Sequence, residues 1–288
     1  MRGEQCYDAV LTGLAKYNYR HIDTASIYRN EDECGKALKQ SNIPREEVFI
    51  TSKLSPMEHG YENAIQACHR SLQRLGVSYL DLYLIHWPGV TRTPADSERN
   101  AIERRESWRA MQYLYRTGKC RAIGVSNYSV RHLQELLQLC SSSRRDNNED
   151  ASHVIPMVNQ VEIHPLYPQL QLRKFCAEHG IVVEAYSSLG QGTLLNHPQI
   201  MRISQLANIP LPSMLLRWAW DNDLVIMPKS SNEWRIMENI LAVSESQPLP
   251  SKIKFALDNL TLSDVVVNGE VIPRCIERKT AWDPNNIL

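Results

Sequence analysis

Hydrophobic and polar positions along the chain alternate between two patterns, which predict strands and helices in turn. Short runs that are apolar on both faces recur seven times, and between them lie stretches whose apolar residues are three or four positions apart. Strands of this kind, each followed by a helix, are typical of a parallel sheet covered by helices. The predicted strands are residues 19–25, 48–53, 80–87, 120–126, 154–163, 181–187 and 224–228. The predicted helices are residues 4–17, 30–40 (with Asn30 as the N-terminal cap), 61–75, 103–116, 130–140, 170–179, 199–207, 213–220 and 233–243.

The carboxyl ends of the predicted strands carry polar side chains. In a (β/α)8 barrel the active site is built from these ends, whereas a doubly wound sheet does not need a polar residue at every one. We therefore predict an α/β fold, a (β/α)8 TIM barrel that residues 1–288 form as a single domain. The residues at the strand ends are Asp23, Lys53, His86, Ser126 with Asn127, Gln160, Tyr186 and Lys229.

One strand of that barrel is not found. Only seven predicted strands are present, and the chain opens on the helix that would follow strand one. We expect the first strand to be missing, which would leave unpaired edges on the strands at 20–25 and 225–228.

Two polar stretches are predicted to be loops. Residues 91–105 are expected to lie over the pocket, and residues 141–150 are expected to form a mobile segment rather than a domain boundary. Trp218 and Trp220 share helical spacing with Leu215 and Leu216, which predicts that both tryptophans belong to the core.

The charge balance argues against polyelectrolyte partners. Lys and Arg number 32, as do Asp and Glu, so a net charge of zero attracts neither nucleic acid nor an anionic membrane. No run of about 18 apolar residues is present to span a bilayer, and the first residues lack the apolar stretch of a signal peptide. The seven cysteines are scattered without a C-x-x-C pair, which favours reduced thiols over disulfides or a zinc site. We expect a cytoplasmic monomer without a metal.

Four ionisable residues near successive strand ends are candidates for acid catalysis: Asp23, Tyr28, Lys53 and His86. A phenol has an ordinary pKa of ~10, and a neighbouring ammonium, itself held by a carboxylate, makes it a stronger acid. Taken singly, Asp23 and Lys53 fit a salt bridge between strands, Tyr28 a rim aromatic and His86 a core histidine. The coincidence of all four at strand ends favours a proton-donating site.

Several long motifs occur in an order that resembles the aldo-keto reductase family. They are residues 19–25 (YRHIDTA) with Tyr28 and Asn30-Glu31, residues 80–88 (LDLYLIHWP), residues 124–128 (GVSNY) and residues 227–230 (MPKS). The resemblance extends from the first residues of the chain to the last. It implies that Tyr28 donates a proton to the substrate carbonyl oxygen while a hydride arrives from the nicotinamide. It also implies that Lys53, paired with Asp23, assists Tyr28, and that His86 orients the carbonyl and Trp87 lines the substrate pocket. In relatives that reduce a steroid carbon–carbon double bond the histidine is a glutamate, so His86 favours carbonyl reduction.

The nucleotide site is expected on the barrel face rather than in a Rossmann unit. Gly190-Gln191-Gly192 lacks the third glycine of G-x-G-x-x-G. Lys229 and Arg235 flank a predicted helix start, where backbone N–H groups favour an anion and arginine can hold a phosphate bidentately. A solvated, charged helix end is the alternative. The resemblance implies that the cofactor is NADPH. It places Ser126, Asn127 and Gln160 at the carboxamide and Tyr186 stacked on the nicotinamide ring. It places Ser187 and Leu189 at the pyrophosphate, Lys229, Ser230 and Arg235 at the 2′-phosphate, and Glu238 and Asn239 near the adenine. Tyr186 taken alone fits packing equally well.

The sequence therefore predicts an oxidoreductase that reduces aldehydes or ketones with NADPH. Members of the family begin with a hairpin and a first strand, whereas residues 1–18 here correspond to the following helix. The alternative is an NADPH-binding regulatory or interaction subunit on the same barrel, which the missing strand favours and the intact set of four residues opposes. A phosphosugar isomerase is a weaker third alternative, because its phosphate site also follows the last barrel strands. Residues 281–288 resemble the family's C-terminal loop.

Overall fold

The structure, a computed structural model, describes residues 1–143, 154–245, 247–280 and 284–288. Helices and strands alternate along it. The helices are α1 Gly3–Tyr17, α2 Glu31–Ser41, α3 Tyr61–Leu75, α4 Glu98–Arg116, α5 Val130–Ser143, α6 Leu170–Glu178, α7 Pro198–Ala207, α8 Leu211–Trp220, α9 Glu233–Ser244 and α10 Ser251–Asn259. The strands are β1 His21–Asp23, β2 Phe49–Leu54, β3 Leu80–Ile85, β4 Cys120–Ser126, β5 Val158–Glu162, β6 Val182–Tyr186, β7 Val225–Ile226, β8 Val265–Val267 and β9 Glu270–Ile272.

The strands of the main sheet follow one another in chain order, from β1 to β7. The pairs β1–β2, β2–β3, β3–β4 and β6–β7 are parallel. By contacts the chain divides into two compact units, the first made of residues 1–159, 175–182 and 284–288, the second of residues 160–174 and 183–283. The assignment of residues 1–288 to a single domain stays a prediction.

The first unit contains β1 to β4 with α1 to α5. Strand β3 is buried at every position, as expected of a central parallel strand covered on both faces. Helix α3 places Ile65, Cys68, Leu72 and Leu75 on its buried side. It ends at Gly76, whose φ of 67° lies in the left-handed region that glycine adopts without strain. These helices cover the sheet and fix the carboxyl ends of its strands.

The second unit contains β6 and β7 with α7 to α10. It also contains an antiparallel hairpin, β8–β9, whose turn residues Asn268 and Gly269 have positive φ. The two tryptophans of α8 differ. Trp218 is buried and donates from Nε1 to Asp258 at 2.8 Å, whereas Trp220 is half exposed, so its assignment to the core was wrong.

Two local predictions need correction. Helix α4 begins at Glu98, after Ser97 caps it by accepting from Arg99 N at 3.3 Å, so only the first part of the predicted 91–105 loop is a loop. Asn30 occupies the cap position of α2 but does not cap it. Its Oδ1 accepts from the buried Thr24 Oγ1 at 2.7 Å instead, so the side-chain oxygen is engaged outside the helix.

Two further features bear on the remaining predictions. Helix α5 continues through 141–143, and the rest of the predicted 141–150 loop lies outside the described residues, as do residues 281–283 of the tail. All seven cysteines are free and buried. In the part of the chain that the structure describes, no helix combines the length and the apolar character needed to cross a bilayer.

Candidate active site

The first three strands bring four polar residues to one edge of the first unit. Asp23 is the last residue of β1, Lys53 is the penultimate residue of β2, and His86 directly follows β3. Parallel register pairs Asp23 with Thr51 and Lys53 with Leu84, so the carboxyl ends of these strands are aligned. We call Asp23, Tyr28, Lys53 and His86 the tetrad.

The ammonium of Lys53 is buried and has two acceptors. Its Nζ donates to Asp23 Oδ1 at 2.5 Å and to the backbone oxygen of Thr24 at 3.0 Å. The Lys53 side chain is 1% exposed and the Asp23 side chain 18% exposed. A buried ammonium requires a counter-charge and hydrogen bonds, and this geometry supplies both.

Tyr28 lies at the end of a short 3-10 turn, Ser26–Tyr28, that follows β1. Ser26 anchors this turn, because its Oγ donates to the Lys53 carbonyl at 3.2 Å and to Glu58 Oε2 at 3.3 Å. The Tyr28 side chain remains partly exposed, and Lys53 Nζ lies 5.3 Å from its ring centroid. The phenol is therefore accessible and faces a cation.

His86 completes the tetrad. Its Nε2 lies 3.4 Å from Tyr28 Oη, and the two rings meet edge to face with centroids 5.4 Å apart. Burial, together with the charge of Lys53, lowers the pKa of His86 to about 3, so the imidazole is neutral at neutral pH. Its buried Nδ1 has no hydrogen-bond partner among the described residues. Nε2 is therefore the ring nitrogen that faces the phenol and can donate toward an oxygen bound there.

Ser126 and Asn127 lie in the first unit, at the end of β4. Both are buried, and Asn127 has a φ of 63°, in the left-handed region that asparagine tolerates. Asn127 Nδ2 donates to the His86 backbone oxygen at 3.0 Å and to Ser126 Oγ at 3.0 Å. These two predicted cofactor residues are thus tied to the main chain of His86.

In the second unit, Gln160 is buried in the middle of β5, two residues before the strand end at which the sequence predicted it. Its Nε2 donates to Glu184 Oε2 at 2.9 Å and contacts Met227 Sδ at 3.4 Å, which fixes the plane of the amide. Tyr186 ends β6 and is half-buried, as are Ser187 and Leu189. Ser187 has a φ of 53°, and its backbone oxygen accepts from Gly190 N at 2.6 Å, so the chain turns sharply there.

Helix α9 begins where the sequence placed an anion site. Asn232 caps it by accepting from Arg235 N at 3.1 Å, and Ser230 Oγ accepts from Asn232 N at 3.0 Å. Lys229 and Arg235 are exposed on either side of this start, Glu238 is exposed one turn further on, and Asn239 is buried. Two cations beside a helix N-terminus are a donor set that fits a phosphate monoester.

Sequence reasoning missed the residues that hold the loop after β3. The backbone oxygen of Trp87, which is half-buried, accepts from His59 Nε2 at 3.1 Å, and that of Pro88 accepts from Arg104 at 3.1 Å. The signal that could have found them is the spacing of polar residues along α4. A row of polar residues on one side of a helix is, however, usually expected to face solvent. Across the described ranges, no group of three or more His, Cys, Asp or Glu residues is arranged to hold a metal ion.

Comparison with known proteins gives consistent results. The family model described as Aldo/keto reductase family matches residues 3–254. The chain is 43% identical over 237 residues to glyoxal reductase of Bacillus subtilis, which covers 82% of this chain and 77% of that protein. It is 42% identical over 255 residues to glycerol 2-dehydrogenase (NADP(+)) of Saccharomyces cerevisiae, with 81% and 77% covered.

Solved structures show the same likeness. An aldo-keto reductase from a Medee basin deep-sea metagenome library superposes with a TM-score of 0.79 at 34% identity, covering 100% of this chain and 92% of that one. An aldo-keto reductase of Bombyx mori in complex with NADP superposes with a TM-score of 0.74 at 30% identity, covering 88% and 82%. The likeness confirms the predicted (β/α)8 barrel class, to which the described residues contribute β1 to β7 as the strands of the main sheet.

Proposed function

The chain belongs to the aldo/keto reductase family and is an NADPH-dependent carbonyl reductase, and we propose that Tyr28 is the acid that protonates the carbonyl oxygen of its substrate. The observation that carries this proposal is the arrangement of Tyr28 between a buried cation and a neutral imidazole. The phenol lies 3.4 Å from His86 Nε2, and Lys53 Nζ lies 5.3 Å from the phenol ring.

The chemistry divides between cofactor and protein. Bound NADPH supplies a hydride for the carbonyl carbon. Tyr28 Oη delivers a proton to the carbonyl oxygen, and the phenolate that forms is stabilised by the nearby ammonium of Lys53, which Asp23 holds in place at 2.5 Å. General acid catalysis of this kind contributes roughly 10²- to 10⁴-fold to the rate.

His86 orients the substrate in this proposal. Because its imidazole is neutral, with a pKa lowered to about 3, it can donate one hydrogen bond from Nε2 without competing with Tyr28 as an acid. An oxygen held by both Nε2 and Tyr28 Oη would be fixed in position before proton transfer. Trp87, the next residue, is proposed to line the pocket for the carbon side of the substrate.

Each unit, taken by itself, carries residues that we propose to contact NADPH. In the first unit, Ser126 and Asn127 would bind the carboxamide, and Asn127 is already fixed by its bond to the His86 carbonyl. In the second unit, Lys229, Ser230 and Arg235 at the start of α9 would hold the 2′-phosphate, which their charge and the helix end favour. Also in the second unit, the proposed contacts are Gln160 to the carboxamide, Tyr186 to the nicotinamide, Ser187 and Leu189 to the pyrophosphate, and Glu238 and Asn239 to the adenine.

The regulatory-subunit alternative is not favoured, because relatives about 40% identical over most of the chain are named as reductases and dehydrogenases. We propose small aldehydes as the substrate class, on the strength of the likeness to glyoxal reductase. We also propose that the protein is a monomer and that it resides in the cytoplasm. The absence of disulfides among its seven cysteines, all of them in described parts of the chain, supports the cytoplasmic location.

The test compares wild type, Tyr28→Phe and Tyr113→Phe, a control tyrosine on the exposed side of α4. NADPH consumption is followed with a simple aromatic aldehyde, and NADPH affinity is measured by fluorescence quenching. We expect Tyr28→Phe to keep its NADPH affinity and to lose about 10²-fold or more in kcat, while Tyr113→Phe behaves as wild type. An unchanged kcat in Tyr28→Phe would remove Tyr28 from the acid role.

A further inference from the structure

Helix α4 turns three polar side chains toward the interior of the first unit. Asn100, Arg104 and Ser107 are each at most 1% exposed. Their spacing of four and three residues places them on one side of the helix, where apolar residues would be expected. We call these three residues the α4 polar face.

Each member of the α4 polar face is hydrogen-bonded to the backbone that follows His86, either directly or through His59. Asn100 Oδ1 accepts from Val90 N at 2.9 Å. Arg104 donates to the Pro88 carbonyl at 3.1 Å. Ser107 Oγ lies 2.9 Å from Nδ1 of His59, and Nε2 of His59 lies 3.1 Å from the Trp87 carbonyl. Backbone groups of Pro88 and Val90 are thus held directly by α4, and that of Trp87 is held through His59.

The contact through His59 has a defined direction. His59 is buried, and burial lowers its pKa to about 4, so its ring is neutral. A carbonyl can only accept, so Nε2 carries the hydrogen and donates it to Trp87 O. Nδ1 is then an acceptor that faces Ser107 Oγ at 2.9 Å, a hydroxyl that also lies 2.8 Å from the Glu103 carbonyl and accepts from Gly60 N at 2.9 Å.

Arg104 also holds a second segment of the chain. Its guanidinium donates to the backbone oxygen of Leu288, and Leu288 N donates to Ala95 O at 2.8 Å. Ile287 packs on the same loop, because a Cβ on Gly89 would lie 3.2 Å from two of its side-chain carbons. One guanidinium therefore joins the 284–288 segment to the loop of Trp87.

Resting on the function proposed above, we propose that Arg104 is a positioning residue for carbonyl reduction. It holds the Pro88 and Leu288 carbonyls together and thereby fixes Trp87 and the 284–288 segment around the substrate. Arg104 touches neither the tetrad nor the reacting atoms, so its effect is exerted through the loop. Arg104 also pairs with Glu135 at 2.6 Å, and a buried ion pair of this kind is weak evidence for a purely stabilising role, because replacing the whole pair by apolar residues is often neutral.

The kinetic test compares Arg104→Met and Arg104→Lys with Arg109→Met, an exposed arginine of α4 that pairs with Glu106. We expect Arg104→Met to raise the KM for the aldehyde about tenfold while the NADPH dissociation constant stays within about twofold, since a small displacement of a positioning group weakens substrate alignment. Arg104→Lys should recover part of that loss, because lysine keeps a charged donor but lacks the planar fork with which Nη1 reaches both carbonyls while Nη2 pairs with Glu135. Arg109→Met should match wild type.

Folding of the variants is checked by circular dichroism. If Arg104→Met does not fold, Arg104→Lys decides the question, because it keeps a charge opposite Glu135. An intermediate KM for Arg104→Lys supports the proposal, and a wild-type KM in a folded Arg104→Lys overturns it. So does a wild-type KM in a folded Arg104→Met.

A second measurement does not depend on turnover. Hydrogen–deuterium exchange of peptides covering 86–93 and 284–288 should become faster in both segments of Arg104→Lys and in neither segment of Arg109→Met. Unchanged exchange overturns the positioning role even where the enzyme is active. Wild-type protein that binds NADPH but turns over no aldehyde overturns the proposed function instead, and exchange then reports on the loop alone.

Discussion

Lys53 Nζ and Asp23 Oδ1 form an ion pair of 2.5 Å whose two members differ in their access to solvent. The lysine side chain is 1% exposed and the aspartate side chain 18% exposed. After removal of one partner, water can reach the remaining aspartate but not the remaining lysine. The two halves of the pair should therefore respond differently to mutation.

We expect Asp23→Asn to lower the free energy of unfolding by about 3 kcal/mol, because it leaves the buried ammonium of Lys53 without the counter-charge of Asp23. Lys53→Met should cost clearly less, because water can reach the carboxylate left behind. Urea unfolding of both variants measures the difference. Equal losses, or a larger loss in Lys53→Met, would contradict the asymmetry. Both variants should lose turnover, because each removes support from Tyr28.

Buried histidines predict how stability depends on pH. Burial lowers the pKa of His59 and of His132 to about 4 in the folded protein, against ~6.5 in an unfolded chain. Below pH ~6.5 the unfolded state binds protons that the folded state does not, so stability is lost as pH falls from about 6.5 toward about 4. Each histidine contributes a slope of about 1.4 kcal/mol per pH unit within that window.

The measurement is urea unfolding at several pH values between about 7.5 and about 5, above the range in which most carboxylates titrate. In the acidic half of this range, His132→Gln should make the free energy of unfolding less dependent on pH, by about 1.4 kcal/mol per pH unit. His179→Gln, which changes an exposed histidine, serves as the control and should leave the slope unchanged. A wild-type slope in His132→Gln would mean that this ring titrates normally when folded.

Two helical glycines should respond to alanine with opposite signs. A Cβ on Gly35 of α2 would lie 2.7 Å from the carbonyl carbon of Leu75, a backbone contact that cannot give way without moving α3. A Cβ on Gly13 of α1 would meet Tyr19 at an ordinary 3.5 Å. We expect Gly13→Ala to be neutral or stabilising by up to about 1 kcal/mol, and Gly35→Ala to be destabilising by about 2 kcal/mol. Thermal or urea unfolding measures both, and a stabilised Gly35→Ala would contradict the close approach of α2 and α3.

The anion site at the start of α9 predicts a change in nucleotide preference. Arg235→Ala should raise the KM for NADPH about tenfold, because a charge-assisted hydrogen bond to the 2′-phosphate is lost. It should leave the KM for NADH, which lacks that phosphate, nearly unchanged. Arg202→Ala removes another exposed arginine of the second unit, paired with Glu270, and should affect neither nucleotide. Equal changes for NADPH and NADH in Arg235→Ala would show that this side chain does not hold the 2′-phosphate.

The elements that the sequence predicted well have both a regular period and a clear end. Helix α3 occupies Tyr61–Leu75 as predicted, because its apolar stripe is uninterrupted and Gly76 terminates it. The grouping of the tetrad was also accessible, since parallel strands necessarily align their carboxyl ends. Distances and burial within it were not, because they depend on side-chain packing.

Other elements were missed for identifiable reasons. The β8–β9 hairpin carries Asn268-Gly269, a strong turn signal, but its strands have only three residues each, too few to show a period of two. Helix α10 has Ile253, Ala256 and Leu257 buried at helical spacing, but it is only nine residues long and has no side-chain cap to mark its start. The start of α4 was read as a loop because buried polar residues such as Asn100 and Arg104 look like a solvated surface in sequence.

The tetrad comes entirely from residues 23 to 86 and lies wholly in the first unit, whereas the residues proposed for the 2′-phosphate begin at Lys229 in the second. A genetic crossover at any point between the codons for residues 86 and 229 would replace the residues proposed for the 2′-phosphate and keep the tetrad. We expect chimaeras that take residues 229–245 from a relative to inherit that relative's nucleotide preference with the proton donor untouched. In such a gene, recombination could change the coenzyme preference without any change to Tyr28, the proposed proton donor.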